Sequence, residues 1–190
     1  MRFPFISRVQ NSQGFSLVET LVVLAIIAGV LGFAVPGWQK QIIAKEVDTA
    51  SGQLFRDLQL ARVESIRRGV PVVLCPSEGD ETCRSDGDWG NGWIGFEDHD
   101  GDQTYDSTES ILLVGPAFAR VSIDWRNPNW LRFMPQGEAW PNGHFRVCDK
   151  SHSRTHSVIV YRTGRARLGK KSPSGAPILC GKGSRTRRDP

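Results

Sequence analysis

The sequence predicts an α+β protein: one long N-terminal helix, transmembrane in its first half, then mostly antiparallel β-structure, then a flexible basic tail. Three observations carry that prediction. A predominantly apolar run from Phe15 to Val35 leads into an amphipathic stretch with helical period. After Gly69 the texture changes to short β-like runs separated by Gly, Pro, Asn and Asp. From Gly164 onward the chain is rich in cations, Gly, Ser and Pro, a loop-like composition.

The first element reads FSLVETLVVLAIIAGVLGFAV, with only Ser16, Glu19 and Thr20 polar. About 20 apolar residues at roughly 1.5 Å each cross a hydrocarbon core. A short leader with Arg2, Arg8 and no acidic residue precedes it, and that positive flank stays cytoplasmic while the rest is sent outward. The run continues into VPGWQKQ with no A-x-A-like cleavage site, so the segment is expected to be retained. Glu19 stands out, because a carboxylate within such a span costs on the order of a few kcal/mol and is usually partnered. The plainer alternative is an interfacial Glu near the end of an ordinary anchor. Pro36-Gly37 marks an expected kink or local melting.

The helix is expected to resume after Gly37 and run to Arg68. Ile43, Val47, Ala50, Leu54, Leu58 and Ala61 form one apolar stripe, with Lys45, Asp48, Gln59 and Arg62 on other faces. Gly69 then caps the helix and Pro71 forbids its continuation. Strands are expected near Val70–Leu74, Trp93–Glu97, Ile111–Val114, Val121–Trp125, Trp130–Met134, Phe145–Cys148 and Val158–Tyr161. The division is therefore leader 1–14, membrane or filament-core helix 15–36, amphipathic helix 37–69, β-rich domain 70–163 and basic tail 164–190.

A chain of 190 residues with 39% apolar and 23% charged residues builds one domain with a real core. Its charge is uneven. Residues 162–190 hold nine Lys/Arg and one Asp, a balance of +8 against +4 for the whole chain, so residues 1–161 carry −4. A basic tail on an acidic body implies an anionic partner. Four cysteines in an exported chain favour two disulfides. The simplest pairing joins Cys75 to Cys83 around PSEGDET and leaves Cys148 and Cys180 to tether the tail, with three connectivities open.

The run Gly14-Phe15-Ser16-Leu17-Val18-Glu19 resembles the processing signature of type IV pilins and type II secretion pseudopilins. Within the β-rich part, VVLCPSEGDETC, GDWGNGWIGFEDHDGDQTYDSTESIL and VIVYRTGRAR resemble the FimT/GspH family of minor pilins and pseudopilins, closest to FimT. The resemblance covers Phe15 to Leu168. It implies a long N-terminal helix packed against two antiparallel β-sheets. It implies cleavage by a prepilin peptidase between Gly14 and Phe15, with methylation of Phe15. Glu19 would pair with the α-amino group of a neighbouring pilin in the filament core. The place implied is the inner membrane, single-pass, with a periplasmic C-terminal domain that enters a pilus.

Two other constellations invite metal readings. Asp98, Asp100, Asp102, Asp106 and Glu109 fall at loop positions 1, 3, 5, 9 and 12, a spacing calcium loops use. Gln103 takes the place of the turn glycine and strands flank the loop, so an acidic hairpin tip is the favoured reading. Cys148, His152 and His156 form a C-x3-H-x3-H run. An oxidising compartment consumes its thiolate and a fourth ligand is missing, so a hairpin loop with solvated histidines is favoured. No cofactor is expected. No nucleophile elbow, HExxH, phosphate loop or dinucleotide fingerprint is present, and the tryptophans and phenylalanines fit core packing, so no enzyme is expected.

The basic tail carries the functional expectation. Cations interleaved with Gly, Ser and Pro grip phosphate backbones by displacing counterions. Gly164-Arg165-Ala166-Arg167 matches the Gly-Arg-x-Arg motif through which FimT proteins of the competence pilus bind DNA. Arg165 and Arg167 lead, then Lys170 and Lys171; Arg162, Gly164, Lys182, Arg185, Arg187 and Arg188 reinforce. No aromatic residue follows Tyr161, which leaves the tail without a stacking platform, so double-stranded DNA is expected to be bound without sequence preference. The runner-up is a GspH-like pseudopilin of type II secretion with no DNA role.

Overall fold

The structure, a computed structural model, describes residues 14, 16–79, 82–125, 128–151 and 154–180, with backbone alone for 33–40. The chain divides into two compact units, residues 1–40 and 41–190. Helix α1 spans Leu17–Arg68. The Ser16 carbonyl accepts from the Thr20 amide at 3.1 Å, and Glu19 lies in the first turn, where the helix dipole favours a carboxylate. The helix runs through Pro36 and Gly37 without interruption, so the expected local melting is absent. A proline removes one ladder donor, and the flanking bonds keep the ladder.

In the first unit Leu17, Val18, Leu21, Leu24, Ile26 and Val30 are exposed apolar side chains. Among the described residues no helix is long and apolar enough to cross a membrane.

In the second unit most of the apolar stripe is buried as its period requires: Val47, Ala50, Leu54, Leu58 and Ala61 are fully enclosed, while Ile43 at its start is half-buried. Burying one such leucine contributes about 1.5–3 kcal/mol. Gly69 ends the helix at φ +70°, with its amide donating to the Ser65 carbonyl at 3.0 Å. Arg68 then bridges Glu64 at 2.6 Å and Glu97 at 2.8 Å, fixing the helix end to a strand.

Among the described residues nine strands follow: β1 Val72–Pro76, β2 Trp93–Glu97, β3 Ile111–Gly115, β4 Val121–Asp124, β5 Leu131–Phe133, β6 Ala139–Trp140, β7 Gly143–Asp149, β8 Thr155–Val160 and β9 Ala166–Gly169. They form two antiparallel sheets, in order β3-β2-β1-β5-β6 and β4-β7-β8-β9. The core joins the helix stripe to inward residues of both sheets, including Leu74, Trp93, Phe133, Phe145, Val158 and Ala166. Asp57 reaches into it from α1, its Oδ2 accepting from Trp93 Nε1 at 3.0 Å. A smaller cluster of Val73, Cys75, Ile94 and Phe96 lies on the opposite face of the first sheet.

The structure differs from expectation at the tail boundary. Residue 164 lies inside a hairpin, and the strand after it, β9, pairs along β8 from Val160↔Ala166 to Ser157↔Gly169. As the outermost strand of its sheet β9 lies at an edge, where charged side chains such as the exposed Arg167 are normal.

Candidate nucleic-acid interface

The site is built on the turn from β8 into β9. The Gly164 amide donates to the Tyr161 carbonyl at 2.8 Å, and the Tyr161 amide donates to the Arg165 carbonyl at 3.0 Å. Gly164 is buried at φ +73°, and a Cβ on it would lie 1.8 Å from the Gly137 carbonyl oxygen. Both the left-handed backbone and the close approach require glycine here. The turn is also pinned from outside. Arg62 of α1, read in the sequence as lying on another face than the apolar stripe, donates to the Gly137 carbonyl at 2.9 Å and the Thr163 carbonyl at 3.1 Å. The Ala139 amide donates to the Arg162 carbonyl at 2.9 Å.

That frame decides where the cations point. Ala166 is buried, so Arg165 and Arg167 share the opposite, exposed face, about 6.6 Å apart along the strand. Arg167 lines up across the sheet with Ile159 and His144. Arg162, Lys170 and Lys171 are exposed as well. Among the described residues, none of these five side chains has an ion-pair or hydrogen-bond partner, whereas Arg67, Arg68, Arg84 and Arg132 are all paired. No carboxylate occurs between residues 162 and 180.

Beyond β9 the chain folds back as a strap. The Ser157 hydroxyl donates to the Lys171 carbonyl at 2.7 Å, Lys171 bridges Pro177, Ile178 is buried, and Cys180 is bonded to Cys148. The other disulfide joins Cys75 to Cys83. Two of the three open connectivities are thereby removed. Lys182, Arg185, Arg187 and Arg188 lie outside the described residues.

The other expected residues fall as follows. Gly14 and Glu19 are exposed, and Phe15 lies outside the described residues. Cys148 is spent in its disulfide, in line with the favoured reading over a zinc site; the solvated histidines of that reading are corrected at one position. His156 is not solvated: its Nδ1 is 3.1 Å from the Ser51 hydroxyl and its Nε2 3.4 Å from Asp48, so it ties β8 to α1; His152 lies outside the described residues. Asp98, Asp100 and Asp102 bring carboxylate oxygens within 4.8 Å of one another in the β2–β3 loop. Each caps its own loop, accepting from the amides of Gly101, Asp102 and Thr104 respectively. Asp106 accepts from the Thr108 hydroxyl and amide, which hold its carboxyl below the usual range. Glu109 accepts from the His99 amide at 3.1 Å, and burial pushes its carboxyl up.

Sequence reasoning missed Arg62, whose spacing marks only an ordinary polar helix position. It also missed Tyr161 at the turn, because only the residues beyond it were considered as a platform. Tyr161 itself is exposed directly across from Arg165, and Trp140, one residue past the Ala139 amide that bonds Arg162, is exposed too.

The family model described as "Type II transport protein GspH" matches residues 50–164, and that described as "Prokaryotic N-terminal methylation motif" matches residues 9–35. The pilin-like protein PilA1 of Thermus thermophilus is 29% identical over 164 residues, covering 82% of this chain and 97% of that protein. The fold is similar to the crystal structure of the type IV minor pilin FimU of Pseudomonas aeruginosa PAO1. That similarity has TM-score 0.53 at 19% identity, covering 67% of this chain and 98% of that one. A second crystal form of FimU gives the same score and identity, over 69% of this chain and 95% of that one.

Proposed function

Since the chain belongs to the GspH family, a family of pilin-like subunits, we propose that it is a minor pilin of a DNA-uptake type IV pilus. Its β8–β9 hairpin holds DNA through phosphate contacts and reads no sequence. The observation that supports this most is the set of exposed cations, without partners among the described residues, on a hairpin locked by Gly164 and Arg62. Arg165 and Arg167 make the leading contacts, with Arg162, Lys170 and Lys171 beside them. Lys182, Arg185, Arg187 and Arg188 extend the same charge along the sequence.

The N-terminus supports the filament half of the proposal. Prepilin peptidase cleaves after Gly14, Phe15 becomes the methylated N-terminus, and the apolar run anchors the subunit in the inner membrane before assembly. The β-rich domain then stands in the periplasm, and Glu19 pairs with the α-amino group of a neighbouring pilin. Unpaired, that carboxylate would be costly in an apolar environment.

The test is a gel shift of the detergent-solubilised full chain with duplex DNA, beside the Arg165→Gln/Arg167→Gln double variant. Weaker binding by the variant supports the reading; unchanged affinity refutes it. A second reading is favoured by the description of the matching family, a type II transport protein. In it the chain is a pseudopilin of protein secretion and the hairpin contacts partner subunits. A chain that ignores DNA in dilute buffer, with a deletion strain that loses protein secretion but keeps transformation, would select it.

A further inference from the structure

Among the residues whose side chains are described, only two aromatic residues are exposed, Trp140 at 53% and Tyr161 at 39%. Tyr161 stands at the basic turn, and Trp140 lies opposite Arg132 of β5, one residue past the backbone bond that joins β6 to that turn. Tyr161 closes it, its amide bonded to the Arg165 carbonyl at 3.0 Å. Val160 and Ala166 face the core, so Tyr161 and Arg165 share the outer face, with Arg167 next along it. Trp140 follows Ala139, whose amide is bonded to the Arg162 carbonyl. Neither ring has a hydrogen-bond or ring partner among the described residues, while Trp89, Trp93, Trp125 and Phe145 are buried in ring contacts.

Exposed rings near cations that have no partner among the described residues are the composition of a single-strand platform: cations follow the phosphates while bases stack on the rings, whatever the sequence. A duplex offers the same phosphates, but its bases are already stacked and paired inside. We infer that the hairpin takes single-stranded DNA in preference to duplex, with bases stacking on Tyr161 and Trp140 while Arg165 and Arg167 hold the flanking phosphates. The inference rests on the DNA-binding reading proposed above and narrows its ligand to strands or segments whose bases are unpaired.

The experiment measures fluorescence anisotropy of the detergent-solubilised full chain at low salt with three labelled probes of equal length. These are a mixed-sequence single strand, its duplex, and an abasic single strand with the phosphates and no bases. The expected result is single-strand binding tighter than abasic and duplex binding by on the order of tenfold. Tyr161→Ala and Trp140→Ala each shrink that gap and leave duplex affinity unchanged; Tyr161→Phe, which keeps the ring, retains it. Equal affinity for all three probes, or a full gap in the Tyr161→Ala/Trp140→Ala double variant, overturns the inference and leaves the phosphate reading standing. Binding to none of the probes overturns both.

Discussion

Replacing Gly164 with alanine puts a methyl group where no atom fits. The left-handed backbone at φ +73° costs an L-residue about 1–2 kcal/mol. The new Cβ would also sit 1.8 Å from the Gly137 carbonyl oxygen and 2.8 Å from Arg62 Nε, so the turn must shift and disturb both Arg62 hydrogen bonds. Overpacking of that kind costs about 1–3 kcal/mol more. The sum, about 2–5 kcal/mol, corresponds to a fall in Tm on the order of 10 °C for a domain of this size. Gly69→Ala is the matched control. Gly69 has φ +70° with nothing within 4 Å of a Cβ, so it bears the backbone strain alone, about 1–2 kcal/mol. Thermal unfolding of both variants followed by circular dichroism reads the difference. Equal shifts in Tm would refute the steric account of the hairpin.

Burial pushes the Asp57 carboxyl above its ordinary value of 3.8, against hydrogen bonds from Gln53 and Trp93. The folded chain therefore keeps that proton to higher pH than the unfolded one, and this contribution to stability falls as pH rises from the ordinary value through the raised one. Asp57→Asn should abolish that decline in urea unfolding measured across the interval; an unchanged pH profile would contradict it. Leu58→Ala should lose about 2–5 kcal/mol, read by the urea midpoint, because Leu58 is fully enclosed between helix and sheets. Replacing Cys148 and Cys180 by serine opens a link across a sequence separation of 32 and should cost about 3–4 kcal/mol in the same assay.

Much of this architecture is legible in the residues, because burial imposes a period. The stripe Val47, Ala50, Leu54, Leu58, Ala61 announces the helix face that the core encloses. The run Trp93–Glu97 reads as a strand with the bounds it has, bracketed by turn residues. The strands that escape are β6, only two residues long, and β9, whose Arg, Gly and Lys neighbours give it the composition of a loop. At an edge, pairing on one side is enough to hold a strand that hydrophobic patterning does not mark. The Gly-Arg-x-Arg motif is visible as letters, but its geometry is not. That Gly164 serves the turn, Ala166 the core and the arginines the surface depends on Gly137 and Arg62, distant in sequence. The Ala139 amide meets the Arg162 carbonyl at the turn for the same reason, a backbone bond between segments apart in the chain.

The most direct measurement is duplex-DNA affinity of the full chain in detergent, titrated between about 50 and 200 mM salt. If Arg165, Arg167, Lys170 and Lys171 each neutralise one phosphate, log affinity falls against log salt with slope about −3.6, and about −1.8 in the Arg165→Gln/Arg167→Gln variant. A slope near zero, or one unmoved by the double substitution, contradicts the account.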